Sequence, residues 1–132
     1  MTIERTICKF FEDKENVVSV DLFGSYAQQR EKEGSDVDIA VLFEYEKISS
    51  PFELIEWREE IESLIHKKVD LICLNSASPI LGMQVAKNRK NLLMKKPRQY
   101  FNYQMELFSE YAELKELRNP MEKNILKRKI HD

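Results

Sequence analysis

Between Leu22 and Phe43 the chain reads LFGSYAQQREKEGSDVDIAVLF. An apolar strand runs into Gly24-Ser25, ten residues intervene, and Asp36-Val37-Asp38 opens a second apolar strand. Gly-Ser suits a tight turn that brings backbone N–H groups close to a phosphate. Asp36 and Asp38 are two residues apart on an extended segment, so both carboxylates leave one face of a sheet. Carboxylate pairs of this kind suit hard divalent cations, which take oxygen ligands. Read as structure alone, the pair would be turn-end aspartates. Acids beside a strand as apolar as Val37 to Phe43 are costly without a counter-ion, however, and the functional reading is stronger.

The rest of the chain supplies a frame for this segment. Thr2 caps a first helix with Ile3, Ile7, Phe10 and Phe11 on one face. Val17 to Phe23 is a strand; alternation sets Val18, Val20 and Leu22 against Val17, Ser19, Asp21 and Phe23. Asp21 reads as a strand-end polar group. A short helix is expected from Ser25 to about Glu33, its N-terminus toward the phosphates, and Gly34-Ser35 ends it. Ser35 either orients the carboxylates or is a plain turn residue.

Asp36 to Phe43, apolar on both faces beyond the carboxylates, is a central strand. Ser50, Pro51 and Glu53 form a capping box, and Leu54, Trp57, Ile61, Leu64 and Ile65 the buried stripe behind it. His66 reads as a cap or surface residue. Val69 to Leu74 is a third strand, with Asp70 in its apolar run. Ser78-Pro79 starts a helix to about Lys87, and Asn91 to Met94 is an edge strand.

Between Lys87 and Arg98 stand six basic residues and no acids. Such a run is ordinarily a solvated face, or else a contact for a triphosphate, an acidic partner or RNA. The longest helix is expected from Pro97 to Leu117 and to end at Asn119-Pro120. Tyr100, Tyr103, Leu107, Tyr111, Leu114 and Leu117 form a packing stripe. Phe101, Met105, Phe108 and Ala112 form a second, suited to a protein partner. The basic tail beyond is a short amphipathic or frayed segment.

Gly-Ser, ten residues, then Asp-x-Asp resembles the signature of the polymerase-beta-like nucleotidyltransferase superfamily. The motif spans about a sixth of the chain, and the small size is similar to the minimal nucleotidyltransferase branch, the MntA-type antitoxin partners of HEPN-domain toxins. The resemblance implies an α/β fold: a small mixed, twisted sheet flanked by helices, with residues 1–96 as the core and 97–132 as a helical extension of the same domain. It implies that Gly24 and Ser25 hold the phosphates of ATP, and that Asp36 and Asp38 bind magnesium. Asp70 then joins them at a second ion and takes the proton from the attacking hydroxyl; its other reading is a salt bridge with Lys67 or Lys68. Family members commonly carry Ala-Arg-Gly where this chain has Ala27-Gln28-Gln29. Arg30, two places later, either returns to a phosphate or is a solvated helix arginine.

The activity implied is transfer of AMP from ATP to a tyrosine of a HEPN ribonuclease toxin. The rivals are a small-molecule nucleotidyltransferase and a binding module that caps the toxin without chemistry. Bulk properties agree with one small globular domain: 132 residues, 42% hydrophobic and 33% charged. A net charge of −2 gives no sign of a general nucleic-acid binder. Without a signal-peptide pattern, and with only Cys8 and Cys73, the chain is expected in the cytoplasm with both thiols reduced.

Overall fold

The computed structural model describes residues 2–131, and side-chain surroundings as far as Glu116. Its elements are α1 (Ile3–Glu12), β1 (Val17–Phe23), α2 (Gly24–Ala27), β2 (Val37–Phe43), α3 (Pro51–Ile65), β3 (Val69–Cys73), α4 (Pro79–Asn88), β4 (Lys90–Met94) and α5 (Pro97–His131). A short 3-10 turn, Leu74–Ser76, follows β3. The strands form one mixed sheet in the order β3-β2-β1-β4. The β2–β3 pair is parallel, as the α3 crossover between them requires, and the other two pairs are antiparallel. The most apolar strand, β2, is therefore interior.

Each face of the sheet carries its own core. Ile7 and Phe11 of α1 and Trp57 and Ile61 of α3 pack on Val20, Leu22, Val37, Ile39, Val41 and Phe43. Phe10, Phe11 and Trp57 meet edge-on, with ring centroids 5.0–6.2 Å apart. On the other face, Val85 of α4 and Tyr100 of α5 cover Val18, Ala40 and Leu42. Each such fully buried apolar side chain contributes about 1.5–3 kcal/mol relative to exposure.

The caps form as the residues predict. Thr2, Ser50 and Ser78 each accept a hydrogen bond from the backbone N–H three residues on, at 3.1–3.2 Å. His66 closes α3 in the left-handed conformation, at φ 57°. Glu53 differs from the expected capping box, because its carboxylate accepts from the Ser49 hydroxyl at 2.6 Å.

Other expectations are corrected. The alternation in β1 is broken by a bulge between Val17 and Ser19. It moves Val17 to the side of Val20 and Leu22, and Val18 to the side of Ala40 and Leu42. Leu64, at the margin of the α3 stripe, is 56% exposed. The helix expected to reach Glu33 stops at Ala27, because QQREKE has no apolar residue to hold a further turn against the sheet. Asn119-Pro120 does not end the last helix, whose bounds are Pro97–His131; the side chains of the basic tail lie outside the described residues.

The basic run is largely committed to the fold. Arg89 pairs with Asp21, Lys90 with Glu4 and Lys96 with Glu44, while Lys95 donates to the carbonyls of Glu12 and Lys14. On α5, Tyr100 and Leu107 of the first stripe are buried; Phe101, Met105 and Phe108 of the second are 40–55% exposed. Cys8 and Cys73 are free and half-buried.

Candidate active site

The parallel register of β2 and β3 places Asp38 directly opposite Asp70. Asp36 precedes Asp38 by two residues, and Asp38 shares its face of β2 with Ala40 and Leu42, the side covered by α4 and α5. Asp38 and Asp70 from two strands, with Asp36 just before β2, thus collect at one end of the sheet. Burial pushes the Asp38 carboxyl above its ordinary range, and the nearby Asp70 and Asp36 push it further the same way.

Asp70 is exposed, and among the described residues no ion pair joins it to Lys67 or Lys68. Nor do any three His, Cys, Asp or Glu side chains there enclose an ion's position as they stand. Three like charges repel, and drawing them closer calls for a counter-charge. An all-oxygen donor set crowding a half-buried carboxylate fits magnesium or a similar hard cation.

The Gly24-Ser25 turn lies against this cluster. Gly24 has φ +70°, and a Cβ at its position would overlap Asp38 Oδ2 and lie 3.3 Å from Asp38 Cγ. Only glycine brings the backbone this close to the carboxylate in this conformation. After α2 the chain doubles back through Gln29, at φ 55°. The Arg30 N–H donates to the Ser25 carbonyl at 2.9 Å. Lys32 and Ser35 close the next turn, the Lys32 N–H donating to Ser35 Oγ at 2.8 Å and the Ser35 N–H to the Lys32 carbonyl at 2.9 Å. Ser35 is thus a turn residue, and among the described residues its hydroxyl makes no hydrogen bond to Asp36 or Asp38.

This return sets Arg30 beside the turn despite its later place in the sequence. Gly24, Ser25, Arg30, Lys32, Phe23 and Gln28 line a cavity of about 670 Å³. Gln84 and Asn88 of α4 complete its wall. These two, like Lys32, escape a motif-based reading; their only signal is a polar pair four residues apart on an otherwise mostly apolar helix. A second cavity of about 420 Å³ touches Val18, Leu42, Phe43, Leu74 and α5. It lies at the opposite end of β2 from Asp38 and holds none of the three carboxylates.

Asp21, read from sequence as a strand-end polar group, is fully buried. Its Oδ1 accepts from Arg89 Nη1 at 2.9 Å and Asn91 Nδ2 at 2.8 Å, while Oδ2 has no partner. Burial raises its carboxyl above the ordinary range, against the lowering effects of Asn91 and Arg89. The Arg89 guanidinium also stacks on the Tyr100 ring at 4.6 Å. The phenols of Tyr100 and Tyr103 are pushed up to about 12, chiefly by burial.

The family model for polymerase beta nucleotidyltransferases matches residues 5–98. The chain is 38% identical over 68 residues to a Thermococcus cleftensis protein named protein adenylyltransferase MntA, a match covering 52% of this chain and 67% of that one. It superposes with a TM-score of 0.78, at 28% identity, on a chain of a crystal structure of a toxin–antitoxin with AMP-PNP, covering 93% of this chain and 98% of that one. A chain from a structure of the tri-AMPylated Shewanella oneidensis HEPN toxin in complex with MNT antitoxin gives 0.74 at 26% identity, with 94% and 96% covered. With the fold, the Gly-Ser turn and the paired carboxylates in place, this chain belongs to the polymerase beta nucleotidyltransferase family.

Proposed function

We propose that this chain is the antitoxin of a toxin–antitoxin pair, and that it silences a HEPN-domain ribonuclease by transferring AMP from ATP to a tyrosine hydroxyl. The observation that carries the reading is the juxtaposition of Asp38 with Asp70 across β2–β3, pressed against the Gly24-Ser25 turn. The likeness to toxin–antitoxin structures containing AMP-PNP or an AMPylated HEPN toxin supports the substrate and the acceptor.

In this account, the N–H groups and hydroxyl of the Gly24-Ser25 turn hold the outer phosphates, and Arg30 adds a positive charge beside them. Asp36 and Asp38, joined by Asp70 at a second ion, would hold magnesium, which when bound would neutralise charge on the triphosphate and acidify the acceptor hydroxyl. The tyrosine oxygen attacks the α-phosphorus and forms a P–O bond. Its proton goes to Asp70, the bond to the bridging oxygen breaks, and pyrophosphate leaves. Arg30, Lys32, Gln84 and Asn88 around the cavity are exposed, so the acceptor can be a side chain on another protein. The exposed Phe101, Met105 and Phe108 stripe gives such a protein an apolar surface to rest on. Unpaired Cys8 and Cys73 suit a reducing compartment, the cytoplasm. Among the described residues, no helix is long and apolar enough to cross a membrane.

The test is the intact mass of the co-purified HEPN toxin after incubation with ATP and magnesium. Wild type is expected to add AMP increments and Asp36→Asn/Asp38→Asn none. A tight, neutralising complex that never gains mass with wild type would overturn the enzymatic reading and leave stoichiometric capping.

A further inference from the structure

The two edges of the sheet differ in how far they resist a foreign strand. At one edge β4 is irregular: its pairing with β1 shifts register between Val20 and Asp21. Lys90 opens the strand, and the Leu92 carbonyl accepts from Cys8 Sγ of α1 at 3.4 Å. Bulges, lysines and a neighbouring helix are common ways of blunting an edge. At the other edge β3 has none of these within it. Val69, Leu71 and Ile72 are apolar, no lysine or proline interrupts them, and Val69 to Cys73 pair with β2 without a register shift.

The direction of the β3 backbone follows from its first bond to β2. The Val37 N–H donates to the Lys68 carbonyl at 2.9 Å. In a parallel ladder Lys68, Asp70 and Ile72 therefore turn their backbone groups toward β2, and Val69, Leu71 and Cys73 turn theirs outward. The outward Val69 N–H is capped by Glu62 Oε2 at 2.9 Å. Beyond it, the Leu71 N–H and C=O and the Cys73 N–H bond to nothing among the described residues. Leu71 and Cys73 are half-buried, where unpaired backbone groups are costly unless water or another chain takes them.

Asp70 immediately precedes this open stretch. We propose that an extended segment of the HEPN toxin, the one carrying the acceptor tyrosine, adds to the outer edge of β3 as a further strand. Its backbone pairs with the Leu71 N–H and C=O, and the tyrosine stands opposite Asp70. Residues directly opposed on neighbouring strands send their side chains to one face, with Cβ atoms about 5 Å apart. The phenol thus enters beside Asp70 on the face that Asp70 shares with Asp38. Asp70 is what selects this occupant: a strand here is in register with the carboxylate that takes the acceptor's proton, whereas β4 lies across the sheet from it. The inference rests on the nucleotidyl-transfer reading and deepens it by naming how the acceptor is presented.

The experiment is residue-resolved amide hydrogen exchange on the full chain, alone and saturated with the HEPN toxin. Intact mass of the toxin is read on the same preparation after ATP and magnesium are added. The Leu71 and Cys73 amides are expected to exchange readily in the chain alone and about tenfold or more slowly in the complex; Asp70 and Ile72, already in the ladder, stay protected in both. Unchanged exchange at Leu71 in a complex whose toxin gains AMP overturns the edge inference and leaves transfer standing. Protection that appears without toxin and grows with the chain's own concentration also overturns it, because the occupant is then a second copy. A toxin that never gains AMP overturns the nucleotidyl-transfer reading and, with it, this inference. Leu71→Pro and Leu71→Ala add a kinetic arm: both trim the packing of the side chain, but only proline deletes the outward N–H. Leu71→Pro is expected to show a KM for the toxin about tenfold above that of Leu71→Ala, with KM for ATP unchanged. Equal values in the two folded variants overturn the pairing, and if a melting curve shows Leu71→Pro unfolded, the exchange measurement decides.

Discussion

Gly24→Ala separates the geometry of the site from the stability of the fold. Gly24 has φ +70°, and an alanine held there costs about 1–2 kcal/mol of backbone strain. For a chain of this length that lowers Tm by roughly 4–8 °C. The new methyl would also overlap Asp38 Oδ2, forcing the carboxylate to move by about 1 Å to restore contact distance. A displacement of that size at a reacting centre costs about a hundredfold in rate. Gly34→Ala is the matched control: it has φ +88°, yet a Cβ there meets nothing within 4 Å. Both variants are expected to lose similar stability in thermal melts. Only Gly24→Ala is expected to lose transfer, with kcat falling about a hundredfold below the melting transition. Equal losses of activity in the two variants, or wild-type transfer by Gly24→Ala, would refute the claim that close approach to Asp38 is what the glycine provides.

Other outcomes follow from the same structure. Arg89→Met strands the buried Asp21 carboxylate and should cost about 3 kcal/mol in urea denaturation, whereas Asp21→Asn/Arg89→Met should recover much of it. With folded-state values near 12 and unfolded values near 10, the protons on Tyr100 and Tyr103 stabilise the fold fully below pH 10. That stability, about 2–3 kcal/mol for the buried Tyr100, is lost as pH rises toward 12. An ultraviolet titration should accordingly show Tyr100 and Tyr103 ionising late. Asp70→Asn should remove transfer by more than a hundredfold while leaving ATP binding and Tm near wild type, and chelation of divalent metal should stop wild-type transfer until magnesium is restored.

Much of this arrangement is legible from local chemistry. The caps at Thr2, Ser50 and Ser78, the apolar run of β2 and the Gly24-Ser25 turn are short-range signals, and the elements form where those signals stand. The positions of Asp36, Asp38 and Asp70 can also be read, but that Asp38 faces Asp70 is a matter of long-range strand pairing. Residues that depend on tertiary contact are not legible. Arg89 looks like part of a solvated basic run because its partner, Asp21, is 68 residues away. Gln84 and Asn88 look like ordinary helix polar residues until α4 is folded beside the turn. The bulge in β1 defeats simple alternation by inserting one residue, and α2 ends early because nothing apolar follows it.

The most direct test of the central claim is to follow label from ATP carrying a radiolabel on either the α- or the γ-phosphate into the HEPN toxin. Nucleotidyl transfer at the Asp36, Asp38 and Asp70 cluster predicts label from the α-phosphate only, lost with Asp36→Asn/Asp38→Asn. Label arriving from the γ-phosphate, or α-label that persists in the double variant, would contradict the account.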